Sequence, residues 1–129
     1  MRFSHPKADA SKRTLFRGSL DVLVLSVLAE GRYHGYVIEK QIFGATAQKV
    51  GAGTLYPLLH RMQAEGWVVA EADVVRGRSR KVYAITDAGR QALRVQAAQW
   101  QATLARMQGL VLPALRQITR HHPGASQGL

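Results

Sequence analysis

Residues 53–86 read GTLYPLLHRMQAEGWVVAEADVVRGRSRKVYAIT, and within them the apolar period changes. From near Gly53 to just before Gly66, Leu55, Leu58, Leu59 and Met62 recur every three or four residues, which is one face of a helix. Pro57 falls early in that helix, where its missing N–H does least damage. Gly51 stands where Ser or Asp is the more usual N-cap, so the start of the helix is weakly marked. After Gly66 the period drops to two. Trp67–Val75 and Lys81–Thr86 alternate as strands, with Tyr83 and Ile85 on one face. Between them Arg76-Gly77-Arg78-Ser79-Arg80 reads as a basic turn whose glycine tolerates positive φ.

Working outward toward the N-terminus, Leu20, Leu23, Val24, Val27 and Leu28 give the apolar face of a first helix beginning near Leu15, with Gly31 as its C′ residue. A second, short helix is expected from Gly35 to Phe43, burying Val37 or Ile38 together with Ile42, and Gly44 opens a loop. That loop is longer than the tightest helix-turn-helix connection but still fits the motif. Three helices followed by a basic hairpin is the order of a winged helix, so the fold class is mainly α with a small β-hairpin. Toward the C-terminus, Thr86 and Asp87 signal the start of a long helix. Along it Leu93, Ala97, Trp100, Leu104, Met107 and Val111 step by four and three. This seam is longer than a small trihelical core can cover, and it predicts a homodimer; the alternative is a helix folded back over its own domain. Pro113 is expected to kink or end the helix. The organisation expected is therefore a flexible basic arm (1–14), a winged helix-turn-helix domain (15–86), a dimerisation helix (87–112) and a short, partly disordered C-terminal extension (113–129).

A chain of 129 residues suits one compact domain, and it contains no cysteine. Its five histidines, His5, His34, His60, His121 and His122, show no metal-binding spacing, so neither metal nor cofactor is expected. The longest apolar run, Val22–Ala29, is too short to span a bilayer, which leads to the expectation of a cytoplasmic protein with no membrane partner. Lys and Arg number 18 against 8 Asp and Glu, a formal charge of +10. Such a field favours a polyanion. No nucleophile elbow, phosphate loop or dinucleotide fingerprint is present, which argues against an enzyme.

In a helix-turn-helix the second helix of the motif enters the major groove. With its apolar stripe inward, the helix after Gly53 presents Thr54, Tyr56, Pro57, His60 and Arg61 outward, where they can reach phosphates and base edges. Tyr56 as a ring that only positions the helix, and His60 as a plain surface histidine, remain open at this point. Tyr36, at the start of the second helix, is a phosphate contact, because helix N-termini attract anions. Arg76, Arg78, Arg80 and Lys81 crowd the hairpin, and clustered cations favour an opposing polyanion. Double-stranded DNA is the expected partner. An RNA-binding protein explains the charge too, but not the long seam; a winged helix used only for protein assembly is the other alternative, and the hairpin arginines argue against it.

Four segments together carry a family resemblance: His34-Gly35-Tyr36, then Gly53-Thr54-Leu55-Tyr56-Pro57-Leu58-Leu59-His60-Arg61, then Glu65-Gly66-Trp67, and finally Arg80-Lys81-Val82-Tyr83-Ala84-Ile85-Thr86-Asp87-Ala88-Gly89-Arg90. Over residues 15–112 the chain resembles the PadR-like transcriptional regulators, and its length is similar to that of their smaller subgroup with a single C-terminal dimerisation helix. The resemblance implies a winged-helix dimer, usually a repressor, on a palindromic operator, released by a small molecule or by a cellular signal. In some members a tryptophan at the place of Trp100 lines a pocket between subunits that takes flat aromatic compounds. The resemblance thus implies a planar aromatic effector held between Trp100 and its dimer mate, with Leu15 or Ser19 of the first helix nearby, whereas Trp100 as plain dimer core needs no ligand.

Overall fold

The computed structural model describes residues 19–121. Helix α1 covers 19–30, strand β1 Tyr33–His34, helix α2 Gly35–Thr46 and helix α3 Ala52–Ala64. Strands β2 (Val68–Val75) and β3 (Arg78–Ile85) follow, and helix α4 runs from Asp87 to His121. The chain divides into two compact units between Gln96 and Ala97. No helix among the described residues is long and apolar enough to cross a membrane.

The first unit is built around one core. Leu20, Val24, Leu25 and Leu28 of α1 meet Ile38 and Ile42 of α2, and the α3 stripe of Leu55, Leu58, Leu59 and Met62 is buried as the periodicity requires. Tyr83 and Ile85 of β3 and Val68 of β2 close the core from the sheet side. Burying side chains of this size contributes roughly 1.5–3 kcal/mol each. The sheet is antiparallel in the order β1-β3-β2. Its two-residue edge strand β1 pairs Tyr33 with Tyr83 and His34 with Val82. Two residues show no period, and no strand is expected there from sequence.

The connections explain the punctuating residues. Helix α3 ends in a Schellman motif, with Gly66 at φ 80°, Gly66 N–H donating to the Gln63 carbonyl and Trp67 N–H to the Met62 carbonyl. The Thr86 hydroxyl accepts from Gly89 N–H at 3.0 Å, which caps α4 as the Thr-Asp pair suggests. That hydroxyl also donates to the Gly66 carbonyl, joining the two helix ends. Gly89 has no room for a side chain: a Cβ there would lie 2.1 Å from the Trp67 carbonyl oxygen.

Four details differ from the sequence reading. The hairpin turn is only Arg76-Gly77, both at positive φ (53° and 76°), a type I′ geometry that matches strand twist and continues the pairing out to Val75 and Arg78. Arg78, Ser79 and Arg80 are therefore strand, not turn. Helix α2 runs past Gly44 to Thr46, because one exposed glycine costs a helix only about 1 kcal/mol. It ends at Ala47, whose φ of 58° puts a Cβ-bearing residue in the left-handed region, with its N–H on the Phe43 carbonyl. Gly31 follows α1 but lacks the positive φ of a C′ glycine; the Tyr33 ring packs over it instead.

The last difference is Pro113, which neither ends α4 nor separates a C-terminal extension at 113. The lost bond to the Gly109 carbonyl costs roughly 3 kcal/mol, but the Leu, Ala and Arg residues on either side are strong helix formers and carry the helix onward. In the second unit the described residues are all helical. Leu104, Met107 and Val111 are exposed, and the same spacing continues through Leu115 and Ile118, both exposed as well. Leu93, expected at the head of this seam, is half-buried and packs against the core of the first unit. The arm 1–14, Leu15 and the tail after His121 lie outside the described residues.

Replacing Ala47 with glycine removes the left-handed strain at the α2 C-cap. Ala47→Gly is expected to raise stability by about 0.5–1 kcal/mol, read as a higher urea midpoint at unchanged slope.

Candidate nucleic-acid interface

The N-terminus of α2, the exposed side of α3 and the hairpin enclose one open groove. His34, Gly35, Tyr36, Tyr56, His60, Tyr83 and the hairpin cations Arg76, Arg78, Arg80 and Lys81 line it. Seven of the nine residues expected to meet DNA thus come together. At about 1170 Å³ the groove is larger than an ordinary small-molecule pocket, and its four permanent cations suit an extended anion.

Its floor depends on a missing side chain. The Tyr56 phenol of α3 lies directly against Gly35, where a Cβ would sit 2.3 Å from the hydroxyl oxygen. Tyr56 is accordingly half-buried, packed against the core while its phenol reaches the groove. Beneath it Tyr83 is buried, and its hydroxyl pKa is raised by that burial and by the nearby Tyr56 phenol. The Tyr83 phenol is thus a neutral floor, adding no anion where a phosphate would enter.

At the groove's edge Tyr36 gathers charges from two elements. Its ring is stacked with His34 at 5.8 Å between centroids, the Arg80 guanidinium lies 5.4 Å from its centroid, and the Lys40 ammonium 5.5 Å. These cation–π contacts hold Arg80 of the hairpin beside the start of α2. Asp73, the cross-strand partner of Arg80, is engaged elsewhere: its carboxylate meets His34 Nε2 at 3.0 Å. Arg80 makes no ion pair with Asp73 or any other carboxylate among the described residues. The Arg32–Glu71 pair bridges β1's approach and β2 at an exposed site, where an ion pair adds little stability.

Two expected contacts fall outside the groove. Thr54 and Arg61 line a separate depression between α1 and α3 with Leu20, Asp21 and Pro57. There the Arg61 Nη2 donates to both Asp21 carboxylate oxygens at 2.9 Å, so this cation fastens α3 to α1. Sequence spacing puts Arg61 on the outer face but shows no sign of a partner forty residues away. His34 and Gly35 went unassigned as groove residues, although a glycine opening a helix was itself a sign of close approach. Of the expected effector residues, Ser19 is half-buried in α1 and Trp100 exposed in α4.

A family model described as the transcriptional regulator PadR-like family matches residues 24–95, more than half the chain. The chain belongs to this family. PadR-like proteins are transcriptional regulators rather than enzymes. The transcriptional regulator Rv3488 of Mycobacterium tuberculosis is 40% identical over 81 residues, covering 63% of this chain and 75% of its own. A PadR-family regulator from Eggerthella lenta superposes with a TM-score of 0.71 at 33% identity, over 83% of this chain and 94% of that one. Bacillus subtilis PadR, solved in complex with operator DNA, gives 0.53 at 25% identity over 58% of this chain and 43% of that one.

Two measurements probe how the groove of this PadR-like chain is built. Gly35→Ala is expected to cost about 1–3 kcal/mol through overpacking, and most of that cost should vanish in a Tyr56→Ala background, so a double-mutant cycle by urea unfolding reads the coupling. The raised Tyr83 pKa implies stability that is present below pH 10, the ordinary tyrosine value, and is lost as pH climbs through the higher folded value. Alkaline unfolding should accordingly be shallower in Tyr83→Phe than in the unaltered chain.

Proposed function

We propose that this PadR-like chain is a sequence-specific DNA-binding regulator that represses transcription as a homodimer on a palindromic operator. The observation that carries the reading is the convergence of Tyr36, Tyr56 and His60 with Arg76, Arg78, Arg80 and Lys81 around one groove. Helix α3 supplies the side chains for base edges, and the hairpin supplies guanidiniums for phosphates. Thr54 and Arg61 lie in the neighbouring depression of α3, where the Arg61 side chain is half exposed beside Asp21. The dimer rests on α4, where Ala97, Trp100, Leu104, Met107 and Val111 keep the spacing of a two-helix seam. A closed two-fold pairing of that seam presents two grooves to two half-sites, which makes the operator symmetric. Relief of repression by a planar aromatic compound taken up at Trp100 completes the proposal; titration with such compounds should quench Trp100 emission, and Trp100→Phe should abolish the change.

Selection of bound fragments from the source genome tests the main claim. Recovery of a two-fold symmetric site, lost with Arg78→Ala/Arg80→Ala, is the expected outcome. Four or five phosphate contacts per protomer should weaken binding by about three to five decades between 50 and 200 mM salt. Flat salt dependence, or recovery of single-stranded RNA in place of duplex, would sink the reading.

A further inference from the structure

The basic surface continues beyond the groove. On α2, Tyr36, Lys40 and Phe43 follow at four- and three-residue spacing along an exposed strip, and Lys49 and Val50 of the next loop close a second depression around it. Tyr36 belongs to both depressions. Its ring carries Arg80 from one side of the boundary and Lys40 from the other, each within 5.5 Å of its centroid. Neither Lys40 nor Lys49 has an ion pair among the described residues. Glu39 is the one acidic side chain in this depression and is half-buried. Tyr36 is 44% exposed and Phe43 54%, so the core does not account for either ring.

A nucleic-acid backbone alternates phosphates with apolar sugar faces. Two ammonium groups interleaved with two exposed rings match that alternation, and the strip adjoins a groove already suited to the same polyanion. An acidic peptide would satisfy the charges alone, but nothing in its chemistry calls for continuity across Tyr36 with the hairpin arginines. We infer that the Tyr36–Lys40–Phe43 strip and Lys49 form a second backbone-contact surface for the same duplex, with Lys40 and Lys49 each engaging one phosphate. This rests on the DNA-binding reading above. The bound strand then runs from the hairpin, across Tyr36, to the loop between α2 and α3.

The test is the salt dependence of binding to a short defined duplex, measured for the full chain and for Lys40→Ala/Lys49→Ala. Both lysines are exposed, and matching thermal melts confirm that the variant is folded. Loss of two phosphate contacts should lower the slope of log K against log salt by about 1.8 for each bound protomer, close to a tenfold smaller loss between 50 and 200 mM. Lys40→Arg/Lys49→Arg should restore the slope. An unchanged slope in the alanine variant, while Arg78→Ala/Arg80→Ala lowers it, overturns this surface and leaves the groove intact. Acquisition of acidic-peptide binding that the alanine pair abolishes, with duplex binding untouched, likewise overturns it in favour of a protein partner. If the unaltered chain shows no salt-dependent duplex binding, the groove and the strip fall together.

Discussion

Everything at the interface depends on the bare Cα of Gly35. Because no Cβ stands there, the hydroxyl end of Tyr56 can close on the first turn of α2, which brings α3 to the helix that precedes it. The two residues before that glycine are tied to β3 by backbone pairing, so the start of α2 is fixed against the hairpin as well. Three elements distant in sequence thereby share one boundary. A Cβ at this position would collide with the Tyr56 phenol, so the contact between α2 and α3 depends on the glycine.

The electrostatics follow from the same boundary. Positive charge is spread along the chain, yet the groove collects four cations because a two-residue turn places Arg76 at its tip and keeps Arg78, Arg80 and Lys81 in a paired strand. Local acids are diverted from them. Asp73 goes to His34 and Glu71 to Arg32. The hairpin cations are left facing outward with mutual repulsion that an opposing polyanion relieves. Arg61 shows the converse, an arginine of α3 whose Nη2 is held by the Asp21 carboxylate of α1.

Much of the fold was legible because burial imposes a period. The α3 stripe, Leu55, Leu58, Leu59 and Met62, is buried residue for residue, and the change from period 3.6 to period 2 falls at the Schellman glycine. Caps with a chemical signature, such as Thr86, were equally readable. Boundaries set by small energy differences were not. Gly44 and Pro113 each carry a helix-breaking preference of a few kcal/mol at most, and cooperative hydrogen bonding on both sides overrides it. Strand β1 is too short to have a period at all.

The sequence by itself determined which faces are buried, where helices give way to a hairpin, and that the hairpin is cationic, since these are properties of neighbouring residues and their spacing. It also carried the four segments that relate this chain to the PadR-like regulators. Only the tertiary structure decided which side chains lie together. Tyr36, Tyr56 and Arg80 meet, Leu93 turns inward and Arg61 turns to Asp21, because each outcome depends on what another element brings within a few ångströms. Periodicity assigns a side chain to a face, but the partner across that face is set by the packing of elements tens of residues apart.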